Sequence, residues 1–172
     1  MQAEGDVVPL PVAQEQAPPD FAAFFAEEHR GLFKALYFVT GNRADAAELM
    51  QDAFLKLWER WDRVDRLDDP TGYLFRVALN GFRMRTRAAV RATRRLVPVA
   101  SSTDPFDEID LRHDVRRMLL DLSPRQRAAL VLLDMYGYGS EEAARIMSIR
   151  PSTVRALATQ GRAALRKEGP HA

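Results

Sequence analysis

The sequence predicts an all-α protein made of two small helical domains joined by a flexible linker, the C-terminal one a helix-turn-helix. Three observations carry this. Beyond residue 20, apolar side chains recur at three- and four-residue spacing and no stretch alternates at period two. Residues 96–107, LVPVASSTDPFD, combine two prolines with a Ser-Ser-Thr cluster and lack helical periodicity, which marks a linker. Residues 140–167 read as two short amphipathic segments around a tight turn. The expected boundaries are a flexible tail at 1–19, a first helical domain at 20–95, a linker at 96–108 and the helix-turn-helix domain at 109–168.

The elements follow in order. The tail, rich in Pro, Gln, Ala and Glu, has no period. Asp20 is a helix cap, and Phe21, Phe25, Leu32, Leu36 and Val39 form an apolar stripe that ends at Gly41. Asn42 caps a second helix in which Ala46, Leu49, Met50, Ala53, Phe54, Leu57, Trp58 and Trp61 give it a face to bury. Asp69 then Pro70 opens a third helix, cap followed by proline at the first helical position. After the linker, Leu111, Val115, Met118, Leu119 and Leu122 predict another helix, and Ser123-Pro124-Arg125-Gln126 supplies cap, proline and capping-box glutamine for one running to Tyr136. In the helix-turn-helix, Ala144 takes the small position where the helices cross, Ser148 opens the turn, and Ile149, Val154 and Leu157 are apolar plugs.

Composition narrows the function. A hydrophobic fraction of 47% is enough for a core, so a disordered chain is excluded. With no cysteine there are no disulfides or thiolate sites, and His29, His113 and His171 are too scattered for a zinc site, so no metal is expected. No apolar run approaches the ~20 residues that span a bilayer, and the N-terminus lacks a secretory pattern, so no membrane insertion and a cytoplasmic location are expected. No Gly-rich phosphate loop, Ser/His/Asp arrangement or paired carboxylates stand out, so neither catalytic residues nor a cofactor are expected.

The net charge of +1 points to no partner, but its distribution does. Residues 149–167 contain no acid, and Arg150, Arg155, Arg162, Arg166 and Lys167 surround that helix with positive field. Ser152, Arg155, Thr159, Arg162 and Arg166 share one face, opposite the packing face of Val154, Leu157, Gly161 and Leu165, and Thr153 and Arg150 at the start of the helix are further DNA-binding candidates. Residues 70–103 are likewise free of acid, and Arg76, Asn80, Arg83, Arg87, Arg91 and Arg94 fall within roughly a quarter of the helix circumference. Such a ridge repels itself unless an anion neutralises it, and nucleic acid is the natural neutraliser. Residues 44–69 hold eight acids against four bases, with Glu48, Gln51 and Asp52 off the apolar stripe. Pattern alone favours a solvated surface for that acidic face.

ADAAELMQDAFLKLWERW, then GYLFRVALNGFRMRTR, then LSPRQRAALVLLDMYGYGSEEAARIMSIRPSTVRALATQGRAALR, resemble the two characteristic regions of the extracytoplasmic-function type of bacterial RNA polymerase sigma factor. The resemblance covers about residues 20 to 168. It implies that Glu48, Gln51 and Asp52 grip the clamp helices of the β′ subunit of core RNA polymerase, with the β flap as a second contact. It implies that the ridge with Asn80 engages the −10 element of promoter DNA as it melts, that the loop at 63–71 pockets a flipped base, and that the helix from Pro151 reads the −35 element in the major groove. Tyr73 and Phe75 are the candidate melting aromatics. Where relatives carry a longer polar run, this chain has Arg155-Ala156-Leu157 and Thr159-Gln160. An anti-sigma protein is a partner the sequence leaves open. A stand-alone dimeric helix-turn-helix regulator is the alternative reading.

Overall fold

The computed structural model describes residues 19–91 and 113–168, and every element among them is helical. The N-terminal lobe holds α1 (Pro19–Thr40), α2 (Arg43–Trp58), the single turn α3 (Trp61–Val64) and α4 (Pro70–Arg91). The C-terminal lobe holds α5 (His113–Leu120), α6 (Pro124–Leu130), a π-turn over Val131–Met135, α7 (Ser140–Met147) and α8 (Pro151–Glu168).

Local chemistry sets most helix ends. Gly41 closes α1 at φ 73°, a left-handed conformation that glycine adopts without the clash of a Cβ. Asn42 Oδ1 accepts from Asp45 N at 3.0 Å, and Asp69 Oδ1 accepts from Gly72 N at 2.8 Å, so both predicted caps satisfy an orphan donor of the first turn. Ser123 and Gln126 form the reciprocal box: Ser123 N donates to Gln126 Oε1 at 2.9 Å and Gln126 N to Ser123 Oγ at 3.3 Å.

Five features depart from the sequence expectation. Asp20 does not cap α1 but lies inside its first turn, the helix starting at Pro19. Trp61 does not extend α2, which ends at Trp58; it starts α3 and turns back onto Phe21 and Phe24, ring centroids 5.3 and 5.0 Å away. Leu122 packs into the core from beyond the end of α5, whose Met118 is 40% exposed and not part of the apolar stripe. Phe25 is also more open than its stripe position implies, lying against His29 and Phe54 at the surface. The helix expected to reach Tyr136 changes to a π-turn, in which Tyr136 N bonds to Val131 O at 3.2 Å, a wide turn often found at functional positions. Leu111, Arg94 and residues 96–107 lie outside the described residues.

Phe33, Leu36, Leu49, Leu57, Leu74 and Phe75 are buried where α1, α2 and α4 meet. Each such side chain contributes about 1.5–3 kcal/mol by leaving water. Leu122, Ala129, Leu130, Leu132, Ala143 and Val154 continue the same core into the C-terminal lobe. Side chains from one lobe also bond to main-chain carbonyls of the other. Tyr136 Oη donates to Gly31 O at 2.5 Å, Arg116 donates to Gly41 O through Nη2 at 2.6 Å and Nε at 3.0 Å, and Arg83 Nη1 donates to Met147 O at 3.4 Å.

Candidate nucleic-acid interface

In the helix-turn-helix, α7 must stop and redirect the chain within three residues. Ser148 does this at φ 55°, ψ 46°, the left-handed conformation where glycine is the unstrained choice. Ile149 N then bonds to Ala144 O at 3.0 Å, closing the turn. Ala144, the small residue expected where the two helices cross, is buried. On α8, Val154 and Ala158 are buried and Leu157 and Leu165 pack behind them. Gly161 lets α8 approach α6: a Cβ there would lie 3.0 Å from Leu130 Cδ1.

The opposite face of α8 presents Arg150, Ser152, Arg155, Thr159, Arg162 and Arg166 to solvent, with Thr153 half-buried. Two of these arginines already have protein partners. Arg155 Nη1 bonds to Ser140 Oγ at 3.2 Å. Arg162 forks onto Asp134 of the π-turn, Nη2 to Oδ1 at 2.5 Å and Nε to Oδ2 at 3.1 Å, and that carboxylate pushes the guanidinium pKa up. The acid-free run at 149–167 concealed this pair, because Asp134 lies 28 residues upstream.

The ridge of α4 is divided. Arg76 and Arg87 are exposed, while Asn80 and Arg83 are half-buried. Arg91 closes the helix. Arg83 Nη1 lies 3.5 Å from Asn80 Oδ1 and 3.4 Å from Met147 O, so the guanidinium is held between its own helix and the end of α7. Beside it, Leu79, Phe82, Arg83 and Arg87 of α4 face Arg125, Met147 and Ile149 across a cavity of about 440 Å³. Phase round the helix explains the division: the ridge borders the face that meets the C-terminal lobe.

Of the two candidate melting aromatics, Phe75 is buried and packs on Tyr136 and Tyr138 at 4.9 and 6.3 Å between centroids. Its side chain belongs to the core in this arrangement. Tyr73 is half-buried at the core edge. Burial, then the charge of Glu28, pushes the Tyr136 hydroxyl up to about 12, keeping it neutral and donating. In the first turn of α4, Thr71 Oγ1 donates to Glu28 Oε1 at 3.0 Å.

Glu48, Gln51 and Asp52 are exposed on α2, but the two acids are not bare. Arg85 of α4 reaches both, Nη1 to Glu48 Oε2 at 2.8 Å and Nη2 to Asp52 Oδ2 at 2.6 Å. Sequence reasoning missed Arg85. The available signal was its phase: about half a turn from the ridge, it continues the stripe of Leu74, Ala78 and Gly81 that packs on α2. Among the described residues no cluster of three His, Cys, Asp or Glu could hold a metal, and no helix is long and apolar enough to cross a membrane.

Residues 24–92 match the Sigma-70 region 2 family and residues 112–165 the Sigma-70, region 4 family. Over 147 residues the chain is 30% identical to the ECF RNA polymerase sigma factor SigM of Mycobacterium tuberculosis, covering 84% of this chain and 74% of that protein. It is 26% identical over 156 residues to the RNA polymerase sigma-E factor of Streptomyces coelicolor, covering 87% and 85%. Among solved structures, the sigma factor RpoE in complex with the anti-sigma factor NepR from Bartonella quintana superimposes with a TM-score of 0.70, at 24% identity over 86% of this chain and 95% of that one. That likeness is one of fold. Both sigma regions in the expected order, with a relative that matches across most of its length, make the chain a member of the extracytoplasmic-function RNA polymerase sigma factors.

Proposed function

We propose that the chain works in the cytoplasm as a promoter-specificity subunit, without catalysis of its own, and that three surfaces share the work. The acidic face of α2 docks on the clamp helices of core RNA polymerase, with the β flap as a second contact. The α4 ridge holds the non-template strand of the −10 element. The exposed face of α8 reads the −35 element, with Arg155 toward base edges and Arg166 on phosphate. The observation that carries this reading is the two-sided use of α4: Asn80, Arg83 and Arg87 lie on one side, and Arg85, bound to the acids of α2, on the other. A helix that touches both an acidic protein-docking face and a cationic ridge suits a subunit joining a polymerase to DNA.

The contact of Arg83 with the end of α7, with Asn80 bonded to the same guanidinium, also bears on mechanism. A strand reaches those side chains once the lobes part, so docking on polymerase must separate them. A gel-shift assay on promoter duplex with and without core polymerase tests the function. The expected result is weak duplex binding alone and tight, sequence-specific binding with core. Tight binding of a palindromic duplex by a dimer of the chain alone would assign it instead as a stand-alone helix-turn-helix regulator.

A further inference from the structure

We propose that Arg85 is a positioning residue for polymerase docking, holding Glu48 and Asp52 as one pre-set acceptor. This deepens the reading of the α2 face as the polymerase surface and rests on it.

Glu48 and Asp52 stand one turn apart on α2, a spacing at which like charges repel. Arg85 enters between them from α4, and each terminal nitrogen takes one carboxylate. The side chains of Glu48, Asp52 and Arg85 remain 66%, 55% and 38% exposed, so the cluster is open to a partner. Ion pairs this exposed add little to the stability of a fold, which leaves orientation as what the cluster supplies. A planar guanidinium bonded to two acids fixes the rotamers of all three side chains at once. Glu48 Oε1 and Asp52 Oδ1 stay available as acceptors, because Arg85 engages the other oxygen of each.

The net charge of the three is minus one, set by two carboxylates and one guanidinium. The surface therefore suits one further cationic side chain of a basic partner helix and not a cluster of them. Leu55, exposed on the same side of α2 as Glu48, supplies apolar area beside the cluster. Ordering of long side chains opposes association, and Arg85 does that ordering before the encounter. Because Arg85 shares α4 with Asn80 and Arg83, the helix that meets DNA also sets the geometry of the docking face.

The test is a double-mutant cycle on the full chain, read as the dissociation rate from purified core polymerase. Arg85→Ala is expected to dissociate about tenfold faster, affinity changes within one interface appearing mostly in that rate. Arg85→Lys keeps the charge but lacks the fork, and recovers less than half of that loss. In a Glu48→Gln/Asp52→Asn background, itself weakened, replacing Arg85 changes nothing further, because Arg85 acts through those two acids. If Arg85→Ala dissociates at the wild-type rate or more slowly while Glu48→Gln/Asp52→Asn is weakened, the positioning role is wrong and the docking surface stands. If Arg85→Ala is as harmful without the two acids as with them, Arg85 acts by itself and the proposal fails. If Glu48→Gln/Asp52→Asn binds core like wild type, the docking surface itself is wrong.

Discussion

Helices α4 and α8 are both rich in arginine and acid-free over long runs, yet they use those arginines differently. On α8 the side buried against α6 and α7 is apolar, and the exposed arginines lie together on the other side, with Arg162 tied to Asp134 at its edge. Helix α4 packs on α2 along one side and approaches α7 along another, so its arginines are sorted among three environments. Arg85 goes to two acids, Arg83 to a main-chain carbonyl, and Arg76 and Arg87 to solvent. Counting arginines on a helical wheel therefore measures the charge available to DNA only where a single side of the helix is packed. Under the proposed function, the α4 ridge becomes fully available only when the lobes separate.

The largest effect expected from breaking this sorting is at α2. Glu48→Lys with Asp52→Lys puts two cations against Arg85 and reverses the docking charge, so core polymerase should no longer co-purify with the variant. Circular dichroism should remain that of the wild type, since both sites are exposed. Normal co-purification would mean that α4's pairing with α2 has no bearing on polymerase.

On α8 the effects are smaller and differ by residue. Arg155→Ala should relax base preference within the upstream element by about 1–3 kcal/mol in a promoter-library transcription assay. Arg166→Ala should weaken binding to all sequences alike, and Arg162→Ala should do so less, because Asp134 already neutralises that guanidinium. Equal losses for Arg162 and Arg166 would show that the Asp134 pair opens freely on DNA.

The smallest effect concerns the contact between lobes. Tyr136→Phe removes the donor to Gly31 O and should lower thermal stability by about 1 kcal/mol. The Tyr136 hydroxyl is raised from its ordinary value of 10.0 to about 12, so its contribution is fully present below pH 10 and lost as pH rises through about 12. Thermal melts across that range should show the loss for wild type, and Tyr136→Phe should make it smaller without removing it, because burial raises the Tyr138 hydroxyl to about 12 as well.

How much of this was legible in the sequence follows from the range of each interaction. Asn42, Asp69 and Ser123 each act on the main-chain N–H three residues on, so their sequence neighbourhood contains the whole cause. Ser148 could be assigned to the turn for the same reason, and its positive φ is the strain that a non-glycine residue there entails. The apolar face of α8 was legible from its own periodicity, whichever helix covers it, whereas its partners Leu130 of α6 and Asp134 of the π-turn were not. Trp61 was misplaced because it keeps the phase of α2 while the chain bends to bring its ring onto Phe21 and Phe24. The clasp on Glu48 and Asp52 joins residues 37 and 33 positions apart, and Tyr136 meets Gly31 across 105. Such pairings depend on how helices pack, which periodicity alone does not specify.

The most direct test of the two-sided use of α4 is the binding of polymerase holoenzyme to a premelted promoter bubble that already exposes the non-template strand. With Arg83→Ala and Arg87→Ala, core binding should stay at the wild-type level, because Arg85 and the α2 acids are untouched. Open complexes on duplex promoter should be shorter-lived and less salt-dependent, since two phosphate-neutralising groups are gone. On the bubble the strand-holding role requires that the same variant still bind about tenfold or more weakly than wild type. Full rescue by the bubble would contradict it, leaving the ridge a role in duplex docking or strand separation and none in retaining the melted strand.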